Sequence, residues 1–220
     1  MTVLAVTGLK REARIAGGAG VVAVTGGGDA KSLQEKLDAL HGDIKGVISV
    51  GLAGALSPLL KVGDVVIADQ VIQGRETWRC SGDWRIALAA RLPQAHQGPV
   101  AASETILDTT EAKAALYNAT GALAVDMESA LAGRFAAQRK LPFAVLRVIS
   151  DDAAHALPPA ALVAMTPDGG IALGRVLGSL ARHPLQVPRL IATARASNKA
   201  FKQLLRCADL CGIGFARPDL

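Results

Sequence analysis

Aromatic residues make up only 3% of this 220-residue chain, which leaves few of the stacking platforms that commonly hold single-stranded nucleic acid. Nucleic acid is therefore not an expected partner. No apolar run reaches the roughly twenty residues that a spanning helix requires. The short apolar stretch from Val3 to Val6 is followed by Lys10, Arg11, Glu12 and Arg14, the reverse of the charge order in a secretory signal. His41, His96, His155 and His183 form no motif. The three cysteines, Cys80, Cys207 and Cys211, are an odd set with no second Cys or His pair to complete a metal site. These shortages point to a cytoplasmic protein with reduced thiols, no metal and no organic cofactor.

What is abundant is aliphatic. Half the chain is hydrophobic, enough for one well-packed α/β domain over residues 1–220. The net charge of +5 favours anionic contacts. Basic residues concentrate only in the last third, where Arg175, Arg182, Arg189, Arg195, Lys199, Lys202 and Arg206 alternate with aliphatics as an amphipathic helical pair would. This basic extension, from about residue 184, reads as a solvated face or as a surface for the inner face of an anionic membrane.

Val- and Ile-rich runs recur at Val3 to Thr7, Val21 to Thr25, Val47 to Val50, Val65 to Ala68, Leu123 to Val125 and Phe143 to Ile149. Short strands of this kind are buried on both faces, in a sheet covered by helices. Asp29 is placed to cap a helix whose Leu33, Leu37 and Leu40 share a face. A second helix is predicted over Met127 to Arg139, a third from Ala160, a fourth from Ile171 to Arg182 after the break Thr166-Pro167-Asp168-Gly169-Gly170, and a last from Leu190 to Cys211.

Two acidic segments carry the chemistry: Ala124-Val125-Asp126-Met127-Glu128-Ser129 and Arg147-Val148-Ile149-Ser150-Asp151-Asp152. Each sets carboxylates beside an apolar run, where an ionised group is costly unless paired or used. One carboxylate can stabilise positive charge developing on a sugar, and a protonated one can supply a leaving group with a proton. Gly26-Gly27-Gly28, between a strand and the helix capped by Asp29, can hold an anion or simply make a tight turn. Ala30 stands where a phosphate loop needs glycine, which excludes a nucleoside triphosphatase. Gly51, Ala53 and Gly54 follow a strand and either admit a flat ligand or serve close packing. Glu12, taken alone, is a surface glutamate among basic neighbours.

In order and spacing, Gly8 to Glu12, Gly26 to Gly28, Val50 to Leu56, Leu60 to Asp64, Val125-Asp126-Met127-Glu128 and Val148-Ile149-Ser150-Asp151 resemble the purine nucleoside phosphorylase and nucleosidase superfamily over roughly residues 1–180, in its methylthioadenosine/S-adenosylhomocysteine nucleosidase branch. The Thr-Gly-Leu-Lys-x-Glu-Ala-Arg opening and basic tail are most similar to the hopanoid-associated phosphorylases, thought to remove adenine from adenosylhopane. The resemblance implies a three-layer α/β sandwich with a mixed central sheet, in a homodimer or larger homo-oligomer. It also implies roles. Asp151 matches the acid that protonates purine N7, which burial would help keep protonated, and Glu128 the ionised carboxylate that accepts the ribose hydroxyls. Met127 would pack on the sugar, and Asp126, Ser150, Gly51, Ala53, Gly54 and Ser103 would complete the nucleoside site. Glu12 matches the base that activates water, while Gly26, Gly27, Gly28, Ser103 and Thr105, with Lys10, Arg11 and Arg14, would gather a phosphate if that is the nucleophile. His155, four residues after Asp151, would lie near the site. Leu52 replaces the usual serine, and the short segment from Asp69 to Ser103 lacks the aromatic cover of the nucleosidases, which suits a large apolar 5′ substituent. Ordinary methylthioadenosine salvage and a non-catalytic nucleoside-binding module are the alternatives.

Overall fold

The structure is a computed structural model that describes residues 2–162, 166, 169–170 and 172–218. Its strands are β1 (Thr2–Thr7), β2 (Val21–Thr25), β3 (Ile44–Ala55), β4 (Val65–Gln73), β5 (Glu76–Arg79), β6 (His96–Ala102), β7 (Ala124–Asp126) and β8 (Phe143–Asp151). The helices are α1 (Lys10–Ala16), α2 (Ala30–Asp38), α3 (Gly82–Arg91), α4 (Thr110–Thr120), α5 (Ser129–Gln138), α6 (Pro159–Leu162), α7 (Leu173–Arg182) and α8 (Val187–Cys211). All the apolar runs named above are strands. β5, β6, α1, α3 and α4 were not legible as elements.

The sheet is mixed, in the order β2-β1-β3-β7-β6-β4-β5, and β8 joins β3 to β4. The strands β3, β7, β6, β4 and β8 thus close a ring. β3 is long enough to serve two partners on one edge. Its first half pairs with β1 as far as Ser49, its last residues Gly54 and Ala55 pair with β7, and β8 fills the opposite edge from Val47 to Gly54. Between the two partners the edge at residues 50–53 is left without a strand. Such a divergence at strand ends is where α/β sheets bind ligands.

Two apolar layers cover the sheet. One holds Leu33 and Leu37 of α2 and Ala130, Ala132, Phe135 and Ala136 of α5. The other holds Trp84 and Leu88 of α3 and Ala200, Phe201, Leu204, Cys207 and Cys211 of α8. Asp29 caps α2 as expected, accepting from the Ser32 amide at 3.0 Å. Four helix starts differ from the expected ones: α6 begins at Pro159 and α7 at Leu173, each within two residues of its expected start, and two have a visible cause. α5 begins at Ser129 because Asp126 Oδ1 accepts from the amides of Glu128 and Ser129, at 2.9 and 2.8 Å. α8 begins at Val187, with Pro188 in the first turn, where its missing N–H breaks no bond. Part of the break expected at residues 166–170, and the first residue of the helix expected from Ile171, lie outside the described residues.

Candidate active site

The free edge of β3 opens onto a cavity of about 240 Å³. Glu12, Ala53, Gly54, Thr105, Asp126, Met127, Glu128, Ser150 and Asp151 all line it. Gly26, Gly28 and Ser103 instead line a second cavity of about 160 Å³, and Met127 and Glu128 border both. Gly51 lines neither cavity.

Glu12 is 3% exposed, so its reading as a surface residue is overturned. It lies in the first turn of α1, a helix the sequence did not announce. Its Oε2 accepts from the amides of Gly8 and Leu9 at 2.8 Å each, and its Oε1 from the Leu52 amide on the free edge at 2.7 Å. Burial pushes its carboxyl above the usual carboxylate range, and the Leu52 amide, Arg147 and the Leu9 and Gly8 amides pull it back. Three of its acceptor positions are engaged, which leaves capacity for one more donor.

Arg147, on β8 opposite Gly51 and with no exposed surface, organises the acids. Its Nε donates to Asp126 Oδ2 at 2.7 Å and its Nη2 to Ser49 Oγ at 2.5 Å and Ser129 Oγ at 3.0 Å, while Glu128 Oε2 lies 4.0 Å from Nη2. Ser129 Oγ donates in turn to Asp126 Oδ2. Asp126 was expected to touch the nucleoside; its two oxygens are taken by Arg147, Ser129 and the start of α5. Arg147 Nη1 is buried and has no hydrogen-bond partner. The signal for Arg147 was a lone cation inside the apolar run from Phe143 to Ile149.

Glu128 ends the turn between β7 and α5 and is nearly buried. Burial pushes its carboxyl up to about 8, Arg147 opposes this, and Asp126 and Glu12 add to it. Burial thus works against the ionised form that the sequence suggested, and Arg147 works for it.

Asp151 closes β8. Its Oδ2 accepts from Lys113 Nζ at 2.7 Å and its Oδ1 from Ser150 Oγ at 2.9 Å, and Ser150 Oγ also lies 3.3 Å from the Ala53 carbonyl. A lysine ammonium thus stands directly against this acid, a partner the sequence did not suggest. Lys113 went unnoticed, since α4 shows no clear apolar periodicity. The His155 ring is exposed and 2.7 Å from Asp152 Oδ1; only its carbonyl, accepting from Lys113, reaches toward the site.

Glycine sets how closely these groups approach. A Cβ at Gly51 would stand 2.7 Å from Glu12 Oε1 and 2.8 Å from Arg147 Nη1, and one at Gly54 3.0 Å from Asp151 Oδ2. Gly51 thus makes room for protein side chains, not for a ligand. The anion cradle expected at Gly26 to Gly28 is also reduced, because the amides of Gly26 and Gly27 already donate to the carbonyls of Thr7 and Gly8. Arg11 is drawn away to α8, where its guanidinium lies 4.1 Å from the Phe201 ring centre and 3.0 Å from Asn198 Oδ1. Ser103 Oγ donates to the Thr105 carbonyl. Leu9, Leu52, Ile106, Leu107 and Leu157 make much of the first cavity's wall aliphatic, with Thr193 and Ser197 of α8 at its border and no aromatic residue among its described lining.

A mixed sheet closed into a ring thus carries three carboxylates, Glu12, Glu128 and Asp151, around one cavity at its strand ends. The chain belongs to the phosphorylase superfamily, whose family model matches residues 11–177. Among solved structures it is similar to a 5′-methylthioadenosine/S-adenosylhomocysteine nucleosidase of Helicobacter pylori in complex with a substituted pyrrolidinol, at 17% identity and a TM-score of 0.63 over 95% of this chain and 98% of that one. A protein from Weissella paramesenteroides described as a methylthioadenosine nucleosidase matches at 19% identity and 0.60, over 93% of this chain and 97% of that one. A futalosine hydrolase mutant of Helicobacter pylori matches at 16% identity and 0.54, over 68% and 89%. No curated protein is significantly similar in sequence.

Proposed function

We propose that the protein hydrolyses the N-glycosidic bond of an adenine nucleoside, with Asp151 giving a proton to the purine, Glu128 holding the ribose hydroxyls and Glu12 activating water. The observation that carries this reading is the convergence of Glu12, Glu128 and Asp151 on one cavity while Gly8, Gly51 and Gly54 leave them room. A carboxylate beside the sugar stabilises oxocarbenium-like charge, and a protonated base is a better leaving group. A binding module needs no such set of acids.

Water is favoured over phosphate as the nucleophile. Glu12 lines the cavity with one acceptor position uncommitted, so it can take a proton from a water beside it. A phosphate would face Glu12, Asp126 and Glu128 with two of the three glycine amides committed elsewhere. Asp151→Asn tests the assignment. Turnover falls by roughly 100-fold or more, while affinity for the nucleoside changes little, because the acid acts mainly in the transition state. Surviving turnover would remove Asp151 from its role.

The substrate within this class is proposed to carry a large apolar 5′ group, adenosylhopane being the case in point. The aliphatic cavity wall supports this, and so does α8 at its border. From residue 169 to 208 the chain has no Asp or Glu, and Leu177, Leu185 and Ile191 are exposed on the same segment, Leu185 by 94%. An anionic membrane surface suits that combination. Among the described residues no helix is long and apolar enough to cross a membrane. Purified protein in detergent should then cleave adenosylhopane faster than methylthioadenosine, and the opposite preference would favour salvage.

A further inference from the structure

Among the described residues Lys113 is the one buried lysine, with no exposed surface. An ammonium held there is costly unless fully paired. Its three donors all go to one segment: Asp151 Oδ2 at 2.7 Å, the Asp152 carbonyl at 2.7 Å and the His155 carbonyl at 3.2 Å. Fastening this loop requires only a neutral donor. The lysine's single carboxylate partner is the proposed acid, and Ser150 fixes that acid's other oxygen. Gly54, having no side chain, leaves room for the carboxylate oxygen that Lys113 contacts.

We propose that Lys113 is the proton store behind Asp151, an inference that rests on reading Asp151 as the acid. The pair shares one transferable proton between Nζ and Oδ2. As the C–N bond breaks, its electron pair passes to the purine. The purine nitrogen takes the proton through Asp151, and Lys113 supplies it. Lys113 is then a neutral amine and Asp151 a carboxylate. Lys113 regains a proton from solvent before the next turnover. In this scheme Lys113 is a positioning residue that acts only through Asp151.

Substrates with different leaving groups separate proton supply from mere support of the loop. Nitrophenolate departs as a stable anion without being protonated, whereas adenine requires the proton. In the Lys113→Met protein, kcat/KM for an adenine nucleoside should fall by about 100-fold and that for p-nitrophenyl riboside by less than about fivefold. Lys113→Arg keeps the charge and the donors but holds its proton, so it should show the same selective loss and serves as the test if the methionine protein does not fold. In an Asp151→Asn background, Lys113→Met should cost nothing further. Equal losses on both substrates, or full rescue of nucleoside cleavage by arginine, would overturn the proposal. Wild-type protein inert on both substrates would remove the functional reading, and this inference with it.

Discussion

Gly8 and Glu128 share one corner of the site only because position 8 has no side chain: a Cβ there would stand 2.7 Å from Glu128 Oε1. The same Cβ would lie 3.4 Å from Glu12 Oε2, so Gly8 separates two of the three acids. Gly8→Ala should fold with a loss of about 1–3 kcal/mol, as overpacking typically costs. Turnover should fall at least about tenfold, since displaced carboxylates lose the transition-state geometry. Urea denaturation and steady-state kinetics on the same protein check both parts.

Arg147 is held by Asp126, Ser49 and Ser129 with none of its surface exposed. Arg147→Met leaves the Asp126 carboxylate buried without its cation, and breaking such a pair typically costs about 3–5 kcal/mol. Adding Asp126→Asn should recover part of that loss, because the two residues are in direct contact. Equal and additive losses, measured by denaturant unfolding, would contradict the pairing.

Burial pushes the Glu128 carboxyl up to about 8 in the fold, against an ordinary 4.5. Between these values the folded chain keeps a proton that the unfolded chain has lost, so stability is full below the ordinary value and declines as pH rises through about 8. Glu128→Gln should flatten this decline in unfolding midpoints recorded from pH 5 to 9. Ribose hydroxyls donating to Glu128 favour its ionised form, so a bound nucleoside analogue should release a proton near pH 7. Calorimetry in buffers of different ionisation enthalpy reads that release directly.

Much of the framework was legible because the buried strands are nearly unbroken Val and Ile runs, and because Asp29, Gly26 and the segment from Val125 to Glu128 mark their own turns. The missed elements have physical reasons. β5 is a four-residue, largely exposed edge strand, β6 mixes His96, Gly98 and Pro99 into its run, and α4 buries chiefly a lysine. The candidate acids were visible as carboxylates beside apolar runs. What supports them was not, since Lys113 reaches Asp151 from 38 positions away, Arg147 reaches Asp126 from 21, and the Leu52 amide reaches Glu12 from 40.

The C-terminal helix is more than an appendage. Ala200, Phe201, Leu204, Cys207 and Cys211 belong to one of the two main apolar layers, and Trp84 Nε1 donates to the Phe215 carbonyl at 2.8 Å. A chain ending at residue 186 should therefore lose its cooperative thermal transition, although the family match ends at residue 177. Calorimetry showing an unchanged transition would contradict this.

The most direct measurement is adenine release from 5′-substituted adenosines, with and without inorganic phosphate, and with the sugar product identified by mass. Release should not depend on phosphate and should give the free ribosyl product, and both Glu12→Gln and Asp151→Asn should abolish it. A ribose 1-phosphate product, formed only with phosphate present, would contradict the role of Glu12, and no release from any adenosine would contradict nucleoside cleavage by this protein.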